Sequence, residues 1–145
     1  MSSLKPIVND FFAAYAKRMN DALADPKALD VAAMRAAFAD YFVGADPNGV
    51  RGARNGLLFR LMLPRGIARY RKMGTIAMDI ETLTVTALDD FHAMARVGWQ
   101  ASYRTGQRID FTNIYLLQIR AGVAKIFAWI TPDEEKALRE AGLTP

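Results

Sequence analysis

Apolar residues in the first part of the chain recur every three or four positions. Val8, Phe11, Phe12, Tyr15, Met19 and Leu23 share one side of a 3.6-residue period, which predicts an amphipathic helix over residues 4–24. Asp25-Pro26 ends it and starts another, with aspartate as N-cap and proline at the first helical position. That second helix is expected to reach about Asp40 and to bury Leu29, Val31, Met34 and Phe38. Tyr41-Phe42-Val43 suits a short strand, and Asp46-Pro47-Asn48-Gly49 is turn chemistry. Helical spacing returns over 56–73 through Leu58, Leu61, Met62, Ile67 and Tyr70, where Pro64 predicts a break into two pieces.

From Thr75 the period becomes two. Residues 75–88 alternate as a strand does, and Asp89-Asp90 is a turn. The next strand puts Phe91, Ala93, Ala95, Val97, Trp99, Ala101 and Tyr103 on one face, with His92, Met94, Arg96, Gln100 and Ser102 on the other. Thr105-Gly106 closes a hairpin, after which Phe111, Asn113, Tyr115 and Leu117 share a face. Ala121-Gly122 leads into a last strand over 124–130. Thr131-Pro132-Asp133-Glu134 reads as a capping box opening a short helix that stops at Gly142. Helices first and strands afterwards imply an α+β domain with an antiparallel sheet, taking residues 1–145 as one domain.

Composition narrows the chemistry. A chain of 145 residues buries roughly two-thirds of its unfolded surface, so it needs no metal or disulfide to hold a core. It has no cysteine, which excludes a disulfide framework, a thiolate nucleophile and a Cys-type zinc site. Its one histidine, His92, excludes a multi-histidine metal centre, and no motif calls for a cofactor. No apolar run approaches about 18 residues, and the first twenty lack the pattern of a secretion signal. A cytoplasmic setting without a membrane partner is therefore expected.

The order of elements resembles the NTF2-like superfamily, nearest to its SnoaL-like polyketide-cyclase and ketosteroid-isomerase branches. Two stretches carry the resemblance. One is Phe38-Ala39-Asp40 followed by Asp46-Pro47; the other runs from Gly106 through Tyr115 to Ile119, a glycine-containing turn and Lys125-Ile126. The resemblance covers roughly residues 5–131. It implies a cone in which the N-terminal helices pack inside a strongly curved antiparallel sheet around an apolar pocket. It also implies a cofactor-independent isomerase, cyclase or lyase acting on an apolar carbonyl compound.

Asp46 matches the isomerase position of the catalytic base. Such chemistry needs a carboxylate whose basicity is raised by burial and hydrogen-bond donors where negative charge develops. Tyr15 falls near the donor tyrosine, although about seven extra residues separate it from Phe38. Tyr115 stands where the isomerase has a protonated aspartic acid, a departure that leaves a phenol as the second donor. Phe59, Met62, Trp99, Phe111, Asn113 and Trp129 are the expected ligand contacts, pocket walls being mostly apolar and aromatic. Each also has a plainer reading: Asp46 as a turn aspartate bonding its own backbone, and the aromatic residues as core. An Asp-Arg-Asp arrangement of the epoxide-hydrolase type would have to use Asp79 and Arg96, whose strand faces are not clearly inward.

The alternative to an enzyme is a non-catalytic ligand-binding or scaffold domain. Members of this superfamily commonly pair through the convex sheet face, which makes His92, Met94 and Arg96 candidate homodimer contacts. Residues 51–72 contain Arg51, Arg54, Arg60, Arg65, Arg69, Arg71 and Lys72 and no acidic residue. That segment reads as a solvated helix face or as a site for an anionic partner. Nucleic acid is not expected, because Phe59 and Tyr70 fit the buried side rather than an exposed stacking surface.

Overall fold

The computed structural model describes residues 4–143. Helix α1 spans Leu4–Ala24; of the predicted face it buries Val8, Phe12 and Leu23 and half-buries Phe11, Tyr15 and Met19, and Leu4 and Ala22 are buried as well. The second helix is shorter than expected. Asp25 caps a single 3-10 turn, Pro26–Ala28, and α2 covers only Val31–Ala36 under its own cap, Asp30. Phe38, expected in that helix, instead opens strand β1 (Phe38–Asp46). The Asp46–Gly49 turn joins β1 to β2 (Gly49–Arg54), a strand the pattern did not reveal because all six of its residues are exposed.

Helix α3 (Leu57–Lys72) runs through Pro64 without a break. Pro64 and Arg60 both lie on the solvent side, where the carbonyl that proline leaves without its helical partner can meet water. Strands β3 (Thr75–Ala87), β4 (His92–Tyr103), β5 (Arg108–Arg120) and β6 (Val123–Ile130) follow as antiparallel neighbours. Helix α4 is Glu134–Glu140, capped by Asp133 rather than by Thr131. Thr131 instead sits beside β1, its backbone N–H donating to Ala45 at 2.9 Å.

The six strands stand in the order β2-β1-β6-β5-β4-β3. One pairing, β1 with β6, is parallel, so the sheet is not wholly antiparallel. The expectation of a strongly curved sheet is also corrected. The sheet is open, with β2 and β3 as unpaired edges, and it is neither closed nor strongly curled. Alternation reports which side of a strand is buried; bending depends on bulges and closing pairs, which alternation does not encode.

The core lies between α1 and the inward sheet face. Ala93, Ala95, Val97, Trp99, Ala101 and Tyr103 of β4 are all buried, and Leu117, Ile119 and Ile126 continue the face onto β5 and β6. Phe91, expected on this face, lies before β4 and is exposed. Gly44 on β1 has a packing reason to be glycine. A Cβ there would come 2.8 Å from the indole carbons of Trp129. Gly44→Ala is expected to destabilise the fold by about 1–3 kcal/mol through overpacking, read as a lower urea midpoint with an unchanged slope.

Candidate functional site

The inward strand face and the helices leave a cavity of about 210 Å³. Alternation places Phe111, Asn113 and Tyr115 on one side of β5, and all three line it. Ala95 opposite Tyr115 on β4 is small, so the phenol ring has room; Trp129 is its neighbour on β6. Tyr15 and Met19 enter from α1 and Tyr70 from α3, while Thr131 and Glu134 close the end where β6 passes into α4.

Three side chains form the polar centre. Trp99 Nε1 donates to the Tyr115 hydroxyl at 3.1 Å, and Asn113 Nδ2 donates to the same oxygen at 3.1 Å. Indole and amide N–H groups can only donate. The Tyr115 oxygen therefore accepts twice, and its own O–H remains to donate. Burial raises the Tyr115 pKa, and the two incoming hydrogen bonds oppose that rise. Those same bonds make its proton a stronger donor. The Tyr15 hydroxyl is pushed far above the usual phenol range, first by burial and then by the nearby Tyr115. Tyr70 is raised likewise, by burial and then by Glu134.

Glu134 is the one ionisable carboxyl among the lining residues named for this cavity, and no basic side chain joins it there. Burial raises its pKa; Arg69 opposes the rise, and Glu135 adds to it. A carboxyl raised in the folded state holds its proton more tightly there than when unfolded. Below its ordinary value of 4.5 both states are protonated and burial costs nothing. As pH rises from 4.5 through the raised folded value, the unfolded state ionises first and the folded state must in the end carry a half-buried charge, so stability is lost. Glu134→Gln is therefore expected to melt above the parent chain at neutral pH, with the difference vanishing below pH 4.5, as followed by circular dichroism.

Of the expected site residues, Tyr15, Trp99, Phe111, Asn113, Tyr115 and Trp129 converge on this cavity. Asp46 does not line it. Its Oδ1 accepts from the Asn48 backbone N–H at 2.8 Å in the β1–β2 turn, and its side chain borders an adjoining surface depression instead. Phe59 packs against Phe38 and Phe42 at ring separations of 5.2 and 4.8 Å, one layer behind the wall. Met62 points outward from α3 and is exposed. Asp79 and Arg96 are both exposed. His92 faces outward as expected, but it has an acidic partner: its Nδ1 lies 2.8 Å from Asp89 Oδ1.

Glu134, Tyr70 and Thr131 were missed as cavity residues. The capping-box pattern accounted for Glu134 and Thr131, and helical spacing accounted for Tyr70, so no residual signal pointed to them. Among the described residues there is no cluster of three or more His, Cys, Asp or Glu side chains able to hold a metal ion.

The family model described as NTF2-like protein (DUF6841) matches residues 5–134. A search of curated proteins finds no match. Among solved structures, an NTF-2-like protein of unknown function from Pseudomonas aeruginosa superposes with a TM-score of 0.65 at 18% identity, covering 87% of this chain and 97% of that one. Aln2 from a Streptomyces species gives 0.63 at 17% identity, with 97% of each chain covered. A ketosteroid isomerase-like protein from Erwinia carotovora atroseptica gives 0.54 at 16% identity, covering 88% and 91%. At these identities the likeness is one of fold.

Proposed function

Since the chain belongs to the NTF2-like family DUF6841, whose fold is consistent with small-molecule binding, we propose that its cavity takes a compact apolar carbonyl compound and moves a proton beside the carbonyl. The observation that carries this reading is the Tyr115 hydroxyl, held by two donors with its own proton left to give. In the proposed step, ionised Glu134 takes a proton from the carbon next to the carbonyl. The C–H electron pair moves into an enolate, and Tyr115, with Tyr15 nearby, donates to the oxygen where charge collects. Returning the proton from Glu134 completes an isomerisation or exchange. Glu134 replaces Asp46 as the proposed base because it lines the cavity and burial raises its basicity.

The cavity is smaller than the roughly 300–1,000 Å³ of drug-sized pockets, which favours a ligand of one or two rings. Seven aromatic side chains among its lining residues suit a flat apolar body. This reading places the chain functionally beside the ketosteroid-isomerase and SnoaL-like branches, in a cytoplasmic setting and with no cofactor. The outward sheet face carries the half-buried Met94, Ile114, Leu116 and Phe127, which supports a homodimer through that face. The test is proton exchange at the carbon beside the carbonyl of 2-tetralone, followed by NMR in heavy water. Acceleration by this chain and its loss in Glu134→Gln are the expected results. Binding of 2-tetralone without exchange would instead favour a non-catalytic binding domain.

A further inference from the structure

The chain's net positive charge comes from one segment. Residues 51–72 hold seven basic and no acidic residues, while the remaining 12 basic and 15 acidic residues leave the rest of the chain at −3. That segment is β2 and α3. Only one of its seven cations has a salt bridge among the described residues, Arg69 to Glu135 at 3.2 Å; Arg54 is also engaged, over the ring and hydroxyl of Tyr41.

The same helix has two apolar sides. Phe59, Leu63, Ile67 and Tyr70 turn toward the protein and are half-buried or buried. Leu57, Leu58, Leu61 and Met62 turn outward and are 68%, 74%, 56% and 48% exposed. At 100° per residue, Leu57, Leu58 and Leu61 share the outward face with Arg65 and Lys72, and Arg60 and Arg71 flank it. Four large apolar side chains clustered on one exposed helix face are more than the scattered exposure normal for a protein surface.

From this juxtaposition we infer that the outward face of α3 docks on an anionic lipid surface, with Leu57, Leu58 and Leu61 entering the headgroup boundary and the arginines meeting lipid phosphates. A second copy of the chain is a poor occupant, because a symmetric contact would bring two strongly basic segments together. Nucleic acid would match the charge and leave the leucines in water, and the aromatic residues of α3 itself, Phe59 and Tyr70, turn inward rather than offering a stacking face. A lipid surface meets both needs at once, since it takes protruding aliphatic side chains without a shaped groove and attracts each nearby cation. No described helix is long and apolar enough to cross a membrane, so the contact is peripheral. The inference is independent of the chemistry in the cavity.

The experiment is co-sedimentation of the full chain with vesicles of phosphatidylcholine alone or of about 2:1 phosphatidylcholine to phosphatidylglycerol. Binding is expected to the anionic vesicles only and to fall steeply between about 0.1 M and about 1 M salt, as the screening length drops from about 10 to about 3 Å. A Leu58→Ser/Leu61→Ser variant should bind roughly tenfold or more weakly with an unchanged melting curve, because both positions are exposed. An Arg60→Gln/Arg65→Gln variant should lose binding to a similar degree. The inference is overturned by equal binding to both vesicle types or to neither, or by serine variants that bind as well as the parent. A dimer in sedimentation equilibrium that the serine variant dissociates would also overturn it, because the stripe would then belong to a second copy.

Discussion

A Tyr115→Phe variant is expected to unfold about 2–4 kcal/mol more easily than the parent chain. The ring itself is nearly isosteric and keeps its packing against Phe12 at 5.0 Å. The loss comes from the two groups that donate to the hydroxyl. Trp99 is buried, and its Nε1 bond to Tyr115 is its one side-chain hydrogen bond. Asn113 Nδ2 likewise bonds the Tyr115 oxygen. Each donor left without a partner in a buried site costs about 1–3 kcal/mol, and water admitted to the cavity recovers part of the sum. Urea denaturation reads the effect as a lower midpoint with an unchanged slope. A change below about 0.5 kcal/mol, the ordinary range for an indifferent surface substitution, would mean that the hydroxyl is not the hub of this cluster.

The same substitution connects stability to function. A phenol that holds one buried and one half-buried donor is fixed in place by them, so its proton is aimed before any ligand arrives. Fixed donors need no reorganisation when charge develops, which is why such groups contribute strongly to catalysis. Tyr115 is thus both a structural acceptor and the proposed recognition donor.

How far the sequence reveals this site depends on the element. On β4 and β5 strict alternation makes facing predictable, and Trp99, Phe111, Asn113 and Tyr115 all fall where the period puts them. Tyr15 follows equally from the 3.6-residue period of α1. Three features escape periodicity. Strand β2 is exposed along its whole length, so it carries no hydrophobic alternation. The parallel pairing of β1 with β6 joins residues 85 to 88 positions apart in sequence, a contact that local spacing does not encode. The openness of the sheet depends on which edges fail to meet.

The two carboxylates differ in how far local pattern describes them. Asp46 precedes Pro47-Asn48-Gly49, and its bond from the Asn48 backbone is the turn arrangement that the sequence offered beside the catalytic one. Glu134 has the opposite history. It looks like a helix-start glutamate and does open α4, but Thr131 is drawn against β1 by Ala45. That tether sets where α4 begins, and it leaves Glu134 half-buried at the end of the cavity.

The second large effect concerns this carboxyl. General acid–base groups typically contribute 10²–10⁴-fold to a rate, and glutamine keeps the size of glutamate while removing its basicity. Glu134→Gln should therefore abolish about 100-fold or more of any proton-transfer acceleration while leaving the fold at least as stable at neutral pH. Asp46→Asn should leave the rate within about twofold of the parent, because its carboxylate serves the β1–β2 turn and lies outside the cavity.

The comparison that bears most directly on the proposed chemistry is the rate of proton exchange in 2-tetralone with the parent chain, Glu134→Gln and Asp46→Asn under one set of conditions. The account predicts acceleration by the parent and by Asp46→Asn, and its loss in Glu134→Gln. No acceleration by the parent, or an active Glu134→Gln beside an inactive Asp46→Asn, would contradict it.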